Sequence, residues 1–146
     1  MTESTLLHEL VVRSAARTPE APALTYGAHT LTYAELQGRV AAFAAGLRAL
    51  GLARTERVGI YLEKRFETVV ASFGAPAAGG VMVPMNPLLK AEQVAFIARD
   101  CNVRVLVTSP ERLLQLLPVL PECPDLRHVV LTEGAAPAVA LPPGLA

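Results

Sequence analysis

Four short, almost uninterrupted apolar runs most limit what this chain can fold into. They lie at residues 58–62 (VGIYL), 81–83 (VMV), 103–107 (VRVLV) and 126–131 (LRHVVL). Between them stand stretches of helical period, at residues 66–78, 90–99 and 110–117. A strand that alternates polar with apolar residues has one wet face, whereas a nearly continuous apolar strand is covered on both. Strands in regular alternation with helices make a parallel sheet, because each crossover returns the chain to the same end. The expected fold is therefore α/β, an open, mainly parallel sheet with helices on both faces.

The first third of the chain adds helices and a hairpin. Residues 6–16 put Leu6, Leu7, Leu10, Val11 and Ala15 on one helical face, closed by Thr18-Pro19. Residues 23–26 and 29–31 are short β runs around Gly27 and predict a hairpin. Thr32 and Glu35 stand in capping-box register, and behind them Leu36, Val40, Phe43, Leu47 and Leu50 recur every three or four residues. Gly51 follows where a left-handed C-cap belongs. In the helix at 90–99 the inward residues are Ala91, Val94, Ile97 and Ala98. Ser109-Pro110-Glu111 gives a cap, a proline at the first helical position and an early acid. Residues 1–132 thus form one α/β unit. Residues 133–146, rich in alanine and proline and without period, are expected to be a linker or an unpaired extended tail.

Composition excludes several classes of function. Thirteen basic residues balance thirteen acidic ones and there is no tryptophan, so electrostatic or stacking capture of nucleic acid is not expected. No signal peptide is readable at the start, and the most apolar stretch is broken by Pro76 and three glycines, too weak to span a bilayer. Cys101 and Cys123 have no metal-ligand spacing. Reduced thiols and a cytoplasmic location follow as expectations.

The chain carries no phosphate loop of the G-x-x-x-x-G-K-[ST] kind, no G-x-G-x-x-G turn and no G-x-S-x-G elbow. Gly79-Gly80 follows a helix and precedes a strand, the reverse of a dinucleotide-binding turn, and predicts a helix stop with close backbone packing. His8, His29 and His128 have no carboxylate or nucleophile at suggestive spacing, so structural or surface roles are expected; Cys101 is expected to be a buried small apolar residue. Two segments merit attention because they follow the carboxyl ends of predicted parallel strands, where open α/β sheets collect ligands. They are Glu63-Lys64-Arg65 and the loop from Pro84 to Pro87 with Asn86 held between prolines. The alternative for each is a solvated connection or an ordinary turn.

Two longer stretches carry a resemblance. LTYAELQGRVAAFAAGLRALGL, residues 31–52, resembles the opening motif of the AMP-forming adenylating enzymes: acyl-CoA synthetases, peptide-synthetase adenylation domains and luciferases. AAGGVMVPMNPLLKAEQVAFIARDCNVRVLVTS, residues 77–109, resembles their second motif and the helix and strand after it. The similarity covers roughly residues 6–132 in matching order. Asn86-Pro87 followed by Leu88-Leu89 is more similar to acyl-CoA ligases than to peptide synthetases, and the stretch from Asn86 resembles exosortase-associated bacterial ligases. The resemblance implies the N-terminal subdomain of the adenylate-forming fold. It also implies a parent that adenylates a carboxylate with ATP and Mg²⁺ and passes the acyl group to coenzyme A.

The family's phosphate loop, ribose-binding acid and C-terminal lysine have no counterpart within 146 residues, and the phosphate loop is expected just after Ala146. No catalytic, cofactor-binding or metal-binding residue is therefore carried over, and no cofactor is expected for this chain alone. Its expected partners are the rest of the ligase, or another copy meeting its open sheet edges. The alternatives are a stand-alone interaction module and a flavodoxin-like domain with a ligand near Glu63 and Asn86.

Overall fold

A computed structural model describes residues 6–146. In chain order the elements are α1 (Glu9–Arg17), β1 (Pro22–Tyr26), β2 (His29–Thr32), α2 (Tyr33–Ala49), β3 (Arg57–Tyr61), α3 (Phe66–Ala77), β4 (Val81–Pro84), α4 (Ala91–Asp100), β5 (Val103–Thr108), α5 (Pro110–Leu116) and β6 (His128–Leu131). β1 and β2 form an antiparallel hairpin. Gly27, at φ +60°, opens its two-residue turn, the place where a type II′ turn takes glycine. The other four strands make a parallel sheet in the order β4-β3-β5-β6.

That order follows from the crossovers. The chain steps from β3 to β4 on one side, then returns across β3 to lay β5 on the other side. Helices consequently cover both faces. Val58, Ile60, Val105 and Val107 meet Leu47 of α2 and Ala71 and Ala75 of α3. On the opposite face Tyr61 and Leu106 meet Val94 and Ala98 of α4 and Leu113 and Leu116 of α5. Pro84 ends β4, which is an edge strand here, so its missing N–H costs no ladder bond.

The helix ends obey their local signals. Thr32 Oγ1 accepts the Glu35 N–H at 3.2 Å while the Glu35 carboxylate accepts the Thr32 N–H at 2.8 Å. At the other end of α2, Gly51 sits at φ +84° and donates to the Arg48 carbonyl, while Leu52 donates to that of Leu47. This is a Schellman motif, and α3 ends the same way: Gly79, at φ +89°, bonds Pro76, and Gly80 bonds Ala75. Replacing Thr32 by alanine is expected to lower stability by about 1 kcal/mol, readable as a fall in the urea midpoint. An unchanged midpoint would mean that α2 is held by packing alone.

Several expectations shift. Helix α1 starts at Glu9, and of the face read inward only Val11 is buried; Leu6, Leu7 and Leu10 are exposed. The helix lies at the periphery and reaches the core through the small cluster of Val11, Leu36, Val40 and Val70, which accommodates only one side of it. In α2 Ala44 is buried and Leu50 exposed, and in α4 Ala95 takes the fully buried place while Ala91 and Ile97 are half-buried. Helix α3 runs through Gly74 and Pro76. Gly74 permits the close approach of α2, since a Cβ there would collide with the Phe43 ring.

The segment after Glu133 has neither helix nor strand, yet it is not an unpaired tail. Leu141 and Leu145 pack against the α4/α5 side of the core. Ala146 donates to the Arg127 carbonyl at 2.9 Å and accepts from Val129 at 2.8 Å, on the outer edge of β6. Backbone hydrogen bonding along an open strand edge supplies this order without any sequence period.

Candidate functional site

The reversal of strand order places a switch point between β3 and β5, whose following helices leave on opposite faces. Ligands of open α/β sheets occupy the crevice outside the strand ends at such a point. The β3–α3 loop brings Glu63, Lys64 and Arg65 there, and β4 delivers the Pro84–Pro87 loop beside it. The two segments singled out in the sequence thus share one wall: Glu63, Lys64, Met85, Asn86 and Leu88 line a single open groove.

What joins them is Arg112, on the first turn of α5. Its guanidinium meets the Glu63 carboxylate through Nε at 2.8 Å and through Nη2 at 2.7 Å. Nη1 donates to the Pro87 carbonyl at 3.0 Å, and the group lies 4.5 Å from the centre of the Tyr61 ring. Tyr61 in turn donates its hydroxyl to the Leu89 carbonyl at 2.7 Å, and the buried Thr108 hydroxyl donates to the Tyr61 carbonyl at 2.9 Å. One planar cation therefore ties the ends of β3 and β4 to the helix that follows β5. Ser109 sets this up: as N-cap its hydroxyl accepts the Arg112 N–H at 3.4 Å, fixing the turn from which Arg112 reaches.

Arg65 is committed in the other direction, to Glu67 at 3.0 Å and to Glu133 at 2.7 Å. Its hydrogen bond to Glu133, followed by the charge of Glu67, holds the guanidinium pKa above its ordinary value. A backbone N–H at Glu63 and then the Arg112 side chain hold the Glu63 carboxyl below the usual range. The sign follows: a carboxyl with a lowered folded pKa adds stability above its unfolded value, and this is lost as pH falls through the folded value. The Glu63→Gln variant is expected to lose less stability than the parent chain as pH drops below about 4.3. Parallel denaturation curves at all pH values would remove the pair from the account.

Lys64 is exposed and has no ion pair among the described residues. Asn86 turns its Oδ1 to the Leu88 N–H at 2.9 Å, closing an Asx turn. His8, His29 and His128 stand apart from this edge, as the N-cap of α1 and the first residues of β2 and β6. Cys101 is half-buried rather than buried, and burial pushes the Cys123 thiol up. Sequence reasoning missed Arg112 and Glu133. The signal for Arg112 was its place three residues after the Ser109 cap; for Glu133 there was none, because its partner is 68 positions away.

The two guanidinium groups at this edge are each paired with carboxylate, whereas the Lys64 ammonium beside them is exposed.

Sheet order and strand-end loops define a doubly wound α/β unit. The chain belongs to the AMP-binding enzyme family, whose model matches residues 11–143. It is 34% identical over 146 residues to tyrocidine synthase 3 of Brevibacillus parabrevis, covering 96% of this chain and 2% of that protein. Among solved structures it is similar to the anthranilate CoA ligase AuaEII in complex with anthranoyl-AMP, with a TM-score of 0.84 at 25% identity over 90% of this chain and 25% of the other. VinN, in complex with 3-methylaspartate, gives a TM-score of 0.75 at 32% identity over 86% of this chain and 34% of the other. The fold is the N-terminal part of the adenylate-forming ligase fold. This chain spans a small fraction of its curated relatives and about a quarter to a third of these two structures. Among the described residues no helix is long and apolar enough to cross a membrane.

Proposed function

We propose that the chain is the frame of an ATP-dependent acyl-CoA ligase. It presents the strand-end loops against which a nucleotide-binding part of the enzyme packs, and it has no ligase activity by itself. Residues 1–132 are the frame and residues 133–146 the connection. The observation that carries this reading is the Arg112 clamp: its guanidinium is spent on Glu63 and the Pro87 carbonyl and holds the two loops in place. Asn86-Pro87-Leu88-Leu89 supports coenzyme A as the acyl acceptor rather than a peptide-synthetase carrier, although curated relatives of this chain are peptide synthetases. In the whole enzyme ATP and Mg²⁺ supply the activated phosphate, and this chain supplies placement.

The test is titration of the 146-residue chain with ATP, with and without Mg²⁺, beside carboxylate-dependent pyrophosphate release by the longer protein. No saturable binding by the chain together with release by the longer protein is the expected result. Magnesium-dependent binding by the chain at micromolar ATP would overturn the division of labour. Acceptance of the acyl group by a carrier-bound thiol but not by free coenzyme A would reassign the acceptor.

A second reading, an interaction module, is favoured by exposed apolar side chains: Leu88 is 87% and Phe96 59% exposed. Light scattering that gives a monomer would count against it.

A further inference from the structure

Ala146 is held in the pattern of a parallel strand pair. Its N–H donates to the Arg127 carbonyl at 2.9 Å and its carbonyl accepts the Val129 N–H at 2.8 Å. A residue that exchanges both bonds with one partner is in an antiparallel pair; one that bonds the two neighbours of its partner is in a parallel pair. Ala146 therefore stands opposite His128, on the outer side of β6. The polypeptide arrives there from the far end of the strand. It leaves β6 after Leu131, is tied by Glu133 to Arg65 at 2.7 Å, and crosses the α4/α5 side with Leu141 and Leu145 against the core. This crossover lies on the same face as α5 and steps the same way across the sheet, so it has the hand of the β5–α5–β6 connection.

The backbone of β6 carries the groups that continue this pairing. The Thr132 N–H bonds the Thr108 carbonyl of β5 at 3.1 Å, so by the alternation along a strand the peptide groups of Val129 and Leu131 point the other way, off the sheet. Ala146 takes the Val129 N–H. The Val129 carbonyl and the Leu131 N–H come next along the same edge, and β6 is the last strand of the sheet among the described residues. Val129 and Leu131 pack toward α4 and α5, whereas Val130 packs toward α2 and α3. Such a row of outward groups is a template for one more strand.

We infer that the outer edge of β6 docks one extended polypeptide strand, parallel to β6 and in the register that Ala146 sets. The occupant is the stretch that directly follows Ala146 in the longer protein, an assignment that rests on the reading of the chain as part of a larger ligase. The second residue of that stretch stands opposite Val130. Its N–H donates to the Val129 carbonyl, and its carbonyl accepts the Leu131 N–H. Paired residues of neighbouring strands share a face, so its side chain turns to the α2/α3 side and is apolar, like Val130.

Amide hydrogen exchange, resolved at Val129 and Leu131, tests this in the 146-residue chain and in the longer protein. The Val129 amide is expected to be protected in both, and the Leu131 amide to exchange about ten-fold or more slowly in the longer protein. Proline at the second residue after Ala146 removes the donor to Val129 and is expected to return Leu131 to its rate in the short chain. Proline at the first residue, whose N–H points off the sheet, is expected to leave Leu131 slow. Equal Leu131 rates in the two unaltered proteins would overturn the inference, and that comparison needs no variant to fold. Sensitivity to proline at the first position but not the second would overturn the register. Leu131 protection in the 146-residue chain that grows with protein concentration would give the edge to a second copy and overturn the occupant. Pyrophosphate release by the same longer protein separates the two readings: slow Leu131 exchange without release supports the docking edge and counts against the ligase, and release with fast exchange does the reverse.

Discussion

Gly80→Val is expected to lower the unfolding free energy by about 3 kcal/mol, seen as a drop in urea midpoint at unchanged m-value. A Cβ at Gly80 would lie 2.9 Å from Leu52 Cδ2, 3.0 Å from the Glu56 carbonyl oxygen and 3.3 Å from that of Ala75. Two of these atoms are backbone, and both are fixed by bonds that define the fold. The Ala75 carbonyl accepts the Gly80 N–H at 2.9 Å and ends α3; the Glu56 carbonyl accepts the Val81 N–H at 2.8 Å and starts the β3–β4 pairing. A side chain there must move a helix end or a strand start. Gly38, inside α2, is the control, because a Cβ there meets nothing within 4 Å. Its replacement by alanine is expected to raise stability by about 0.5–1 kcal/mol in the same assay. Equal effects at the two positions would refute the packing argument.

The second large effect is expected from Arg112→Met. The change keeps a long apolar stem and removes the guanidinium, along with its bonds to Glu63 and Pro87 and its stacking on Tyr61. Glu63 has a side chain 54% exposed and can be rehydrated, so the ion pair is discounted and the loss is expected to be about 2 kcal/mol. Most of the effect should be local. Amide exchange in residues 62–66 and 84–89 is expected to speed up by about ten-fold or more, with little change in β5. Arg112→Lys keeps the charge without the planar fork and should recover only part of the protection. If exchange rises evenly across the sheet, Arg112 is a general stability residue and not a clamp on these loops.

Legibility followed the range of the interactions. The Thr32–Glu35 capping box, the Gly51 stop and the Gly79-Gly80 stop were readable because their bonds close within a few residues. Parallel pairing was readable because the runs are apolar throughout and separated by helices. The inward face of α1 was misread: its leucines have helical spacing, but spacing does not say whether a neighbour is there to cover them. The Glu63 and Pro84–Pro87 loops were both singled out, while nothing local linked them to each other or to Arg112, which lies 49 positions from Glu63.

By itself the sequence determined the main elements, the capped ends of α2 and α3 and the class of sheet, since those depend on propensity, capping and apolar period. Tertiary structure alone decided the order β4-β3-β5-β6, and with it the switch point at which Arg112 meets Glu63 and Pro87. It also decided that Ala146 returns to the edge of β6. These outcomes rest on contacts between distant segments, and a one-dimensional pattern specifies which residues seek cover without specifying which surface supplies it.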